Sequence, residues 1–184
     1  MTEEIIIAGF GGQGVLSLGQ ILCYGGVMED KEVSWMPSYG PEMRGGTANC
    51  IAIISDTKIS SPILTKFDTV IALNQPSLDK FEHAVKPGGL LIYEASTIMK
   101  PPVRTDIDIV PIEAANEAAK LSNTKVMNMI ILGALLKKKP VITFESALEG
   151  LKKVLPERYH HLIPLNKQAI EKGMELVGRL GMTV

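Results

Sequence analysis

The amino-acid sequence predicts a doubly wound, Rossmann-like α/β fold, in which a mostly parallel sheet carries helices on both faces. Short, continuously apolar runs alternate with amphipathic or Ala-rich helical segments along the chain. Strands of this kind are typical of parallel sheets that are covered on both sides. The chain has 184 residues, of which 46% are hydrophobic, and this is enough for one sizeable core. Because no repeat or linker marks a second domain, we expect one domain over residues 1–184.

The strands can be placed in order along the chain. The first is the apolar run 5–8, and the helix after it has apolar residues at helical spacing as far as Gly25 and Gly26, which we expect to end it. A short second strand covers 33–36, and Pro37 is expected to stop it. The other predicted strands are 48–55, 69–73, 90–93 and 107–112.

Helical patterns lie between and after these strands. One helix is expected to begin at Pro76 or Ser77, to continue to about residue 85, and to end at the sequence Lys86-Pro87-Gly88-Gly89. The later predicted helices are 113–121, the almost wholly apolar 126–136, one that begins at Thr143, and 166–180.

Composition excludes several classes of partner. The formal net charge is -1 and aromatic residues make up only 5%, so neither nucleic acid nor a membrane surface is an expected partner. No apolar run approaches the roughly 20 residues that a bilayer-spanning helix needs. The acidic start Met1-Thr2-Glu3-Glu4 leads directly into a strand and does not resemble a signal peptide. We therefore expect a cytoplasmic location.

The two cysteines, Cys23 and Cys50, fall in a helix and a strand and are expected to be buried free thiols. The sequence has no C-x-x-C pair and no Cys/His cluster, so we expect no iron–sulfur or zinc site in this chain. The adjacent His160 and His161 have no third ligand in view. No combination of residues predicts a catalytic site that is complete within the chain.

A glycine-rich turn follows the first strand and is the strongest candidate for a binding site. It follows the pattern G-x-G-x-x-G, in which missing side chains let the backbone turn tightly and let another molecule come close. The helix behind it directs unpaired N–H groups into the turn, an arrangement that suits an anion. The candidate residues are Gly9, Gly11, Gly12, Gln13 and Gly14.

A dinucleotide site is the obvious hypothesis for this turn, but its usual acidic partner is misplaced. That residue should end the second strand, whereas Glu29, Asp30 and Glu32 precede the strand. No Gly-Lys-Ser/Thr follows the glycines, which excludes a P-loop. Three alternatives stay open: a nucleotide site, glycines that only allow close packing, and a turn that contacts a partner chain or its ligand.

A second loop, from Ser38 to Gly46, is predicted at the same sheet edge as the glycine turn. Arg44 carries a guanidinium suited to carboxylate or phosphate, and the flanking glycines would let a ligand approach. The alternative is a solvated loop with an ordinary Glu42–Arg44 pair. The candidate binding residues in this loop are Tyr39, Gly40, Pro41, Glu42, Arg44, Gly45 and Gly46.

Together the two motifs resemble the gamma subunit of 2-oxoacid:ferredoxin oxidoreductases. The resemblance rests on Gly9-Phe10-Gly11-Gly12-Gln13-Gly14 followed by Ser38-Tyr39-Gly40-Pro41-Glu42-Met43-Arg44-Gly45-Gly46. It continues over nearly the whole length, through Ile54-Ser55-Asp56 and the strand before Asn74-Gln75. The details look more like the 2-oxoglutarate and branched-chain members than the pyruvate members, and the indolepyruvate oxidoreductase beta subunit shares the domain.

The resemblance implies a subunit of a larger enzyme. Such enzymes decarboxylate a 2-oxoacid on thiamine diphosphate with Mg²⁺, pass electrons through iron–sulfur clusters to ferredoxin, and transfer the acyl group to coenzyme A. Those cofactors would lie mainly on alpha, beta and, in some assemblies, delta subunits, so this chain alone would bind none and be inactive. The two loops would dock on the catalytic subunits and help to close the site over coenzyme A or the acyl intermediate.

Two other functional classes compete with this interpretation. A free-standing nucleotide-binding protein would need a small-molecule pocket that is complete in one chain. A pure scaffold would only hold other subunits together. An isolated subunit would also expose the surface that it buries in the complex, which favours a homodimer.

Overall fold

The computed structural model describes residues 1–39 and 46–181. Six strands in these parts form one sheet with the order β2-β3-β1-β4-β5-β6. β1, β4, β5 and β6 are parallel neighbours, whereas β3 runs antiparallel to both β1 and β2. The strand bounds are β1 Thr2–Phe10, β2 Glu32–Tyr39, β3 Thr47–Ser55, β4 Phe67–Ala72, β5 Val85–Glu94 and β6 Asp108–Ile112.

The helices are distributed unequally over the two faces of the sheet. The core on the face that holds Ile5 and Ile7 includes residues of α1, α3, α4, α5 and α6, whereas the core on the face that holds Ile6 includes Leu78 of α2. The bounds are α1 Val15–Met28, α2 Gln75–Phe81, α3 Ala114–Lys120, α4 Met127–Lys138, α5 Phe144–Val154 and α6 Ile163–Leu180. The predicted mostly parallel α/β fold is thus confirmed, and the antiparallel β3 is the feature that the sequence did not predict.

Pro37 does not stop the second strand, contrary to expectation. β2 continues to Tyr39, and Pro37 lies opposite Cys50 of β3. β2 is an edge strand of the sheet, where a missing backbone donor is tolerated.

Gly25 and Gly26 do not end the first helix, because α1 continues to Met28. Both glycines are buried and face neighbouring elements. A Cβ on Gly25 would lie 3.2 Å from the carbonyl oxygen of Ser146 in α5, and one on Gly26 would lie 2.8 Å from Val33 of β2. The pair serves close packing of α1 rather than helix termination.

The segment Lys86-Pro87-Gly88-Gly89 also has a different role from the one predicted. α2 ends earlier, at Phe81, and a 3-10 turn over residues 82–84 follows it. The four residues belong to β5, where the pairing with β4 shifts between Phe67 and Thr69. Gly88 has a φ of 73°, which a glycine adopts readily in such an irregular strand.

No helix in residues 1–39 and 46–181 combines the length and the apolar character that crossing a bilayer requires.

Candidate functional site

The glycine turn joins β1 to α1 at the carboxyl ends of the parallel strands. Gly12 has a φ of 97° and Gly14 a φ of 76°, values that residues with a side chain rarely adopt. Gly14 occupies the N-cap position of α1, and within the described residues no side chain caps this helix and no acidic residue lies in its first turn. The turn therefore places an uncapped helix N-terminus at the edge where open α/β sheets ordinarily bind their ligands.

An open pocket with a volume of about 300 Å³ lies directly at this turn. It extends from the glycines over the first turn of α1 to the beginning of β3. Its lining is mostly apolar with a smaller polar part, and Phe10, one of the lining residues, is 36% exposed. The lining residues are Phe10, Gly11, Gly12, Gly14, Val15, Leu16, Ser17 and Ala48.

The second candidate loop ends beside the glycine turn and begins at the same edge of the sheet, two strands away. The backbone N–H of Gly11 donates a hydrogen bond of 2.8 Å to the carbonyl oxygen of Gly46. Tyr39, the last residue of β2, pairs with Ala48 of β3, which pairs with Gly9 of β1 on its other side. Of the candidate residues in this loop, Gly40, Pro41, Glu42, Arg44 and Gly45 lie outside the described residues.

The carboxamide of Gln13 is directed inward, toward the end of β4. Its Oε1 accepts a hydrogen bond of 2.7 Å from the backbone N–H of Phe10, and its Nε2 donates one of 3.0 Å to the carbonyl oxygen of Leu73. A Cβ on Gly9 would lie 2.7 Å from the same Oε1. Gly9 thus makes room for the Gln13 side chain and is buried in β1.

Asn128, in the first turn of α4, lies against Gly14 on the other side of the turn. Its Nδ2 donates a hydrogen bond of 3.3 Å to the carbonyl oxygen of Gly14, and a Cβ on Gly14 would overlap the Asn128 amide. Asn128 is only 7% exposed. No sequence motif identifies Asn128, although a single polar side chain at the start of an apolar helix is a usable signal. Phe10 lies within the first motif but was not among the candidate residues, and neither motif includes Ser17 or Ala48.

The acidic residues considered as ribose ligands lie far from the turn. α1 carries the chain away over 14 residues, or about 20 Å at 1.5 Å per residue. At its far end, Glu29 pairs with Lys31 and accepts a hydrogen bond of 2.6 Å from the backbone N–H of Thr143. Burial opposes ionisation of Glu29, but these bonds outweigh it and lower the pKa of its carboxyl to about 2. The Glu29 side chain is therefore held by hydrogen bonds at the junction of α1 and α5, far from the glycine turn.

Residues 4–176 match the family model described as pyruvate ferredoxin/flavodoxin oxidoreductase, which accounts for most of the chain. The chain belongs to this family. Two relatives show the range of its named members. It is 36% identical over 173 residues to the ketoisovalerate oxidoreductase subunit VorA of Methanothermobacter thermautotrophicus, covering 94% of this chain and 36% of the relative. It is 33% identical over 185 residues to the 2-oxoglutarate synthase subunit KorC of Methanocaldococcus jannaschii, covering 98% of this chain and 96% of the relative.

A solved structure has the same fold. The gamma subunit of a keto/oxoacid ferredoxin oxidoreductase from Geobacter sulfurreducens superposes with a TM-score of 0.80 at 28% identity, covering 95% of this chain and 98% of that one. The gamma-subunit resemblance seen in the two motifs is thereby confirmed. The chain spans about a third of the length of VorA, but nearly the whole length of KorC and of the Geobacter subunit.

Both cysteines of this oxidoreductase-family chain are buried free thiols, as expected. Burial raises the pKa of Cys23 to about 12, and burial likewise raises the pKa of Cys50 to about 12. Cys50 donates a weak hydrogen bond of 3.4 Å to the carbonyl oxygen of Val15, beneath the first turn of α1. Neither thiol is placed or ionised as a nucleophile would be.

Proposed function

We propose that this chain is the gamma-type subunit of a 2-oxoacid:ferredoxin oxidoreductase. The complex would oxidatively decarboxylate a 2-oxoacid to its acyl-coenzyme A and reduce ferredoxin. 2-Oxoglutarate is the first candidate substrate, because KorC, named for 2-oxoglutarate synthase, aligns with the chain end to end. A branched-chain 2-oxoacid is the second, from the similarity to VorA.

In this proposal the chain supplies a binding surface and the catalytic cofactors lie elsewhere. Within the described residues, no group of three or more His, Cys, Asp or Glu side chains is arranged to hold a metal ion. Iron–sulfur clusters are ordinarily held by four cysteines, and this chain has two. In the proposal, the clusters and Mg²⁺–thiamine diphosphate both lie on other subunits. We assign these groups to alpha, beta and any delta subunits, against which the glycine turn and the Tyr39–Gly46 segment would dock.

The observation that carries the proposal is the pocket at the uncapped N-terminus of α1. Coenzyme A carries phosphate groups, and an uncapped helix N-terminus attracts such anions through its N–H groups and its dipole. The N–H groups of Gly11 and Gln13 are already bonded to Gly46 and Phe10. The proposed donors are therefore the N–H groups of Gly12, Gly14 and the first turn of α1, with the phosphates or the acyl thioester of coenzyme A lying over them.

A pair of substitutions at Gly12 tests this role by charge alone. A Cβ at Gly12 meets nothing within 4 Å, so a side chain there points into free space at the pocket. Asn and Asp have similar size and tolerate a positive φ better than most residues. Gly12→Asp should raise the KM for coenzyme A in the assembled enzyme at least about tenfold, because its carboxylate repels phosphate. Gly12→Asn is the matched control and should change the KM by less than about twofold.

The same measurements decide whether the proposal survives. Equal KM values for coenzyme A in the two Gly12 variants would exclude an anion at this pocket. Arg44→Ala tests the second loop separately, and we expect either a raised KM for coenzyme A or weaker assembly with the catalytic subunits. If Arg44→Ala leaves both unchanged, Arg44 has no part in the site.

A further inference from the structure

The gap between the carboxyl ends of β1 and β4 is the point of the sheet where a nucleotide would ordinarily bind. The two strands are parallel neighbours. The helix after β1 packs on the face that holds Ile7, whereas the helix after β4 packs on the face that holds Ile6. The loops therefore diverge at this position, and in open α/β sheets such a divergence forms the ligand crevice.

In this chain the side chain of Gln13 occupies that gap. It starts in the turn after β1 and reaches the residue after β4, where its Nε2 donates to the carbonyl oxygen of Leu73 at 3.0 Å. On the near side, its Oε1 accepts from the backbone N–H of Phe10 at 2.7 Å. The same Oε1 accepts more weakly, at 3.5 Å, from Nδ2 of Asn74, which follows Leu73 on the far side. The backbone N–H of Gln13 also donates to the carbonyl oxygen of Phe10 at 3.1 Å.

These contacts fix the direction of the Gln13 amide. Its oxygen faces two N–H donors, and its nitrogen faces a carbonyl oxygen. Asn74, one of the donors, is itself held in place, because its Oδ1 accepts from the backbone N–H of Ser77 and caps α2. The glycine turn is thus tied to the ends of two neighbouring parallel strands through one side chain.

The pocket lies on the opposite side of the turn from this amide. Its lining includes Ala48 of β3 and Ser17 of α1, and it includes no residue of β4. The Gln13 side chain spans the crevice between β1 and β4, and the open side of the turn faces β3 and Gly46.

We infer that Gln13 is a positioning residue, which fixes the glycine turn in the conformation that opens its pocket toward β3 and closes the β1–β4 crevice. Gln13 acts through the backbone of residues 10–14 and does not itself contact the ligand. This inference rests on the proposed function for the identity of the ligand, coenzyme A, but not for the geometry of the turn.

The experiment compares Gln13→Met with Gln75→Met in the full-length chain and in the assembled enzyme. Methionine preserves the length of the side chain and removes the amide. Gln75 is the matched control, because it lies at the same sheet edge but bonds to Lys100 and Asp79, away from the turn. Backbone hydrogen exchange is measured over residues 10–16, and the KM and kcat for coenzyme A are measured in the complex.

Gln13→Met should speed exchange of the Phe10 amide at least about tenfold, the factor that corresponds to one net hydrogen bond. It should also raise the KM for coenzyme A with little change in kcat. Gln75→Met should change neither the exchange of the Phe10 amide nor the KM for coenzyme A. Faster exchange with an unchanged KM would uphold the positioning role and overturn the assignment of the ligand. Unchanged exchange would overturn the positioning role whatever the KM does.

A measurement on the unmutated chain tests the inference even if the Gln13→Met variant fails to fold. The side-chain amide protons of Gln13 should exchange with solvent more slowly than those of Gln75 in a nuclear magnetic resonance experiment, because Gln75 is bonded in an exposed position. Equal rates for the two side chains would contradict the inference.

Discussion

Gly133 of α4 lies directly against the main chain of Ile170 in α6. A Cβ built on Gly133 would overlap the Ile170 carbonyl oxygen, and one built on Gly173 of α6 would overlap the carbonyl oxygen of Ile130 in α4. The relationship is therefore reciprocal, with each helix providing a glycine where the other backbone passes. It brings the backbones of α4 and α6 into close contact, and glycine is the residue that permits this contact.

Alanine at Gly173 should destabilise the chain strongly. The added methyl group would force α6 away from α4, and overpacking of this kind costs about 1–3 kcal/mol, or more where backbone must move. Gly178 lies in the same helix, and a Cβ there meets nothing within 4 Å. Gly178→Ala should instead raise the free energy of unfolding by about 0.5–1 kcal/mol through helix propensity. Denaturant unfolding of both variants checks this, and similar destabilisation by both would contradict the packing argument.

Alanine substitutions at Gly12 and Gly14 should distinguish the energetic cost of backbone strain from the cost of a steric clash. Gly12→Ala adds a methyl group in open space and suffers only the unfavourable φ of 97°, at a cost of about 1 kcal/mol. Gly14→Ala suffers a similar strain at a φ of 76° and also collides with Asn128, which adds roughly 1–3 kcal/mol. The comparison is made by urea unfolding at one pH. Equal losses in the free energy of unfolding for the two variants would mean that Asn128 moves aside freely and does not hold the turn.

The cysteines should be unreactive in the folded chain. Burial raises the pKa of Cys50 to about 12 from an ordinary value of 9.0, and the pKa of Cys23 likewise. At pH 8 the thiolate fraction is then about a thousandfold lower than that of an exposed cysteine. Iodoacetamide should modify neither thiol in buffer and both in urea, and mass spectrometry counts the adducts. Rapid modification of the native chain would show that α1 opens away from the sheet.

The sequence predicted the elements well where the signal was local. The runs at 5–8, 48–55 and 69–73 became β1, β3 and β4 within a few residues, because continuous apolar character identifies a buried strand. Boundaries were less accurate at Pro37 and Gly25-Gly26. Proline is tolerated at position 37 because β2 is an edge strand, and Gly25 and Gly26 are needed because α1 packs closely on its neighbours. Neither feature can be recognised before the tertiary arrangement is known.

The candidate site was likewise predictable only where a local sequence motif identified it. The motif identified the glycine turn, and the structure places it beside Gly46, the end of the second motif. The distinction between Gly9 and Gln13, which pack inward, and Gly12, which faces open space, depends on contacts with Leu73, the residue after β4. Asn128 is 114 residues from Gly14 in sequence, so no local pattern could connect them.

Glu94 should make the stability of the chain depend on pH in the acidic range. This carboxylate is fully buried at the end of β5 and accepts hydrogen bonds from the backbone N–H groups of Ser96, Thr97 and Ala115, the last at the start of α3. The hydroxyl of Thr97 donates a further bond of 2.5 Å. Burial raises the pKa of Glu94, but these bonds together outweigh it and lower the pKa below the ordinary value of 4.5.

Because the pKa of Glu94 is lower in the folded chain than in the unfolded chain, ionisation stabilises the fold above about pH 4.5. This contribution is lost as the pH falls through the folded-state pKa. Glu94→Gln should lower the free energy of unfolding by about 1–3 kcal/mol at pH 7, since an amide nitrogen then faces N–H and O–H donors. The difference in the free energy of unfolding between Glu94→Gln and the unmutated chain should narrow below pH 4.5.

Glu149→Gln, at a half-exposed Glu149–Lys152 pair, is the control and should change stability by less than about 0.5 kcal/mol. A difference for Glu94→Gln that stays constant from pH 7 to pH 3 would show that the mismatched donors of the amide, and not the loss of the Glu94 charge, cause the destabilisation.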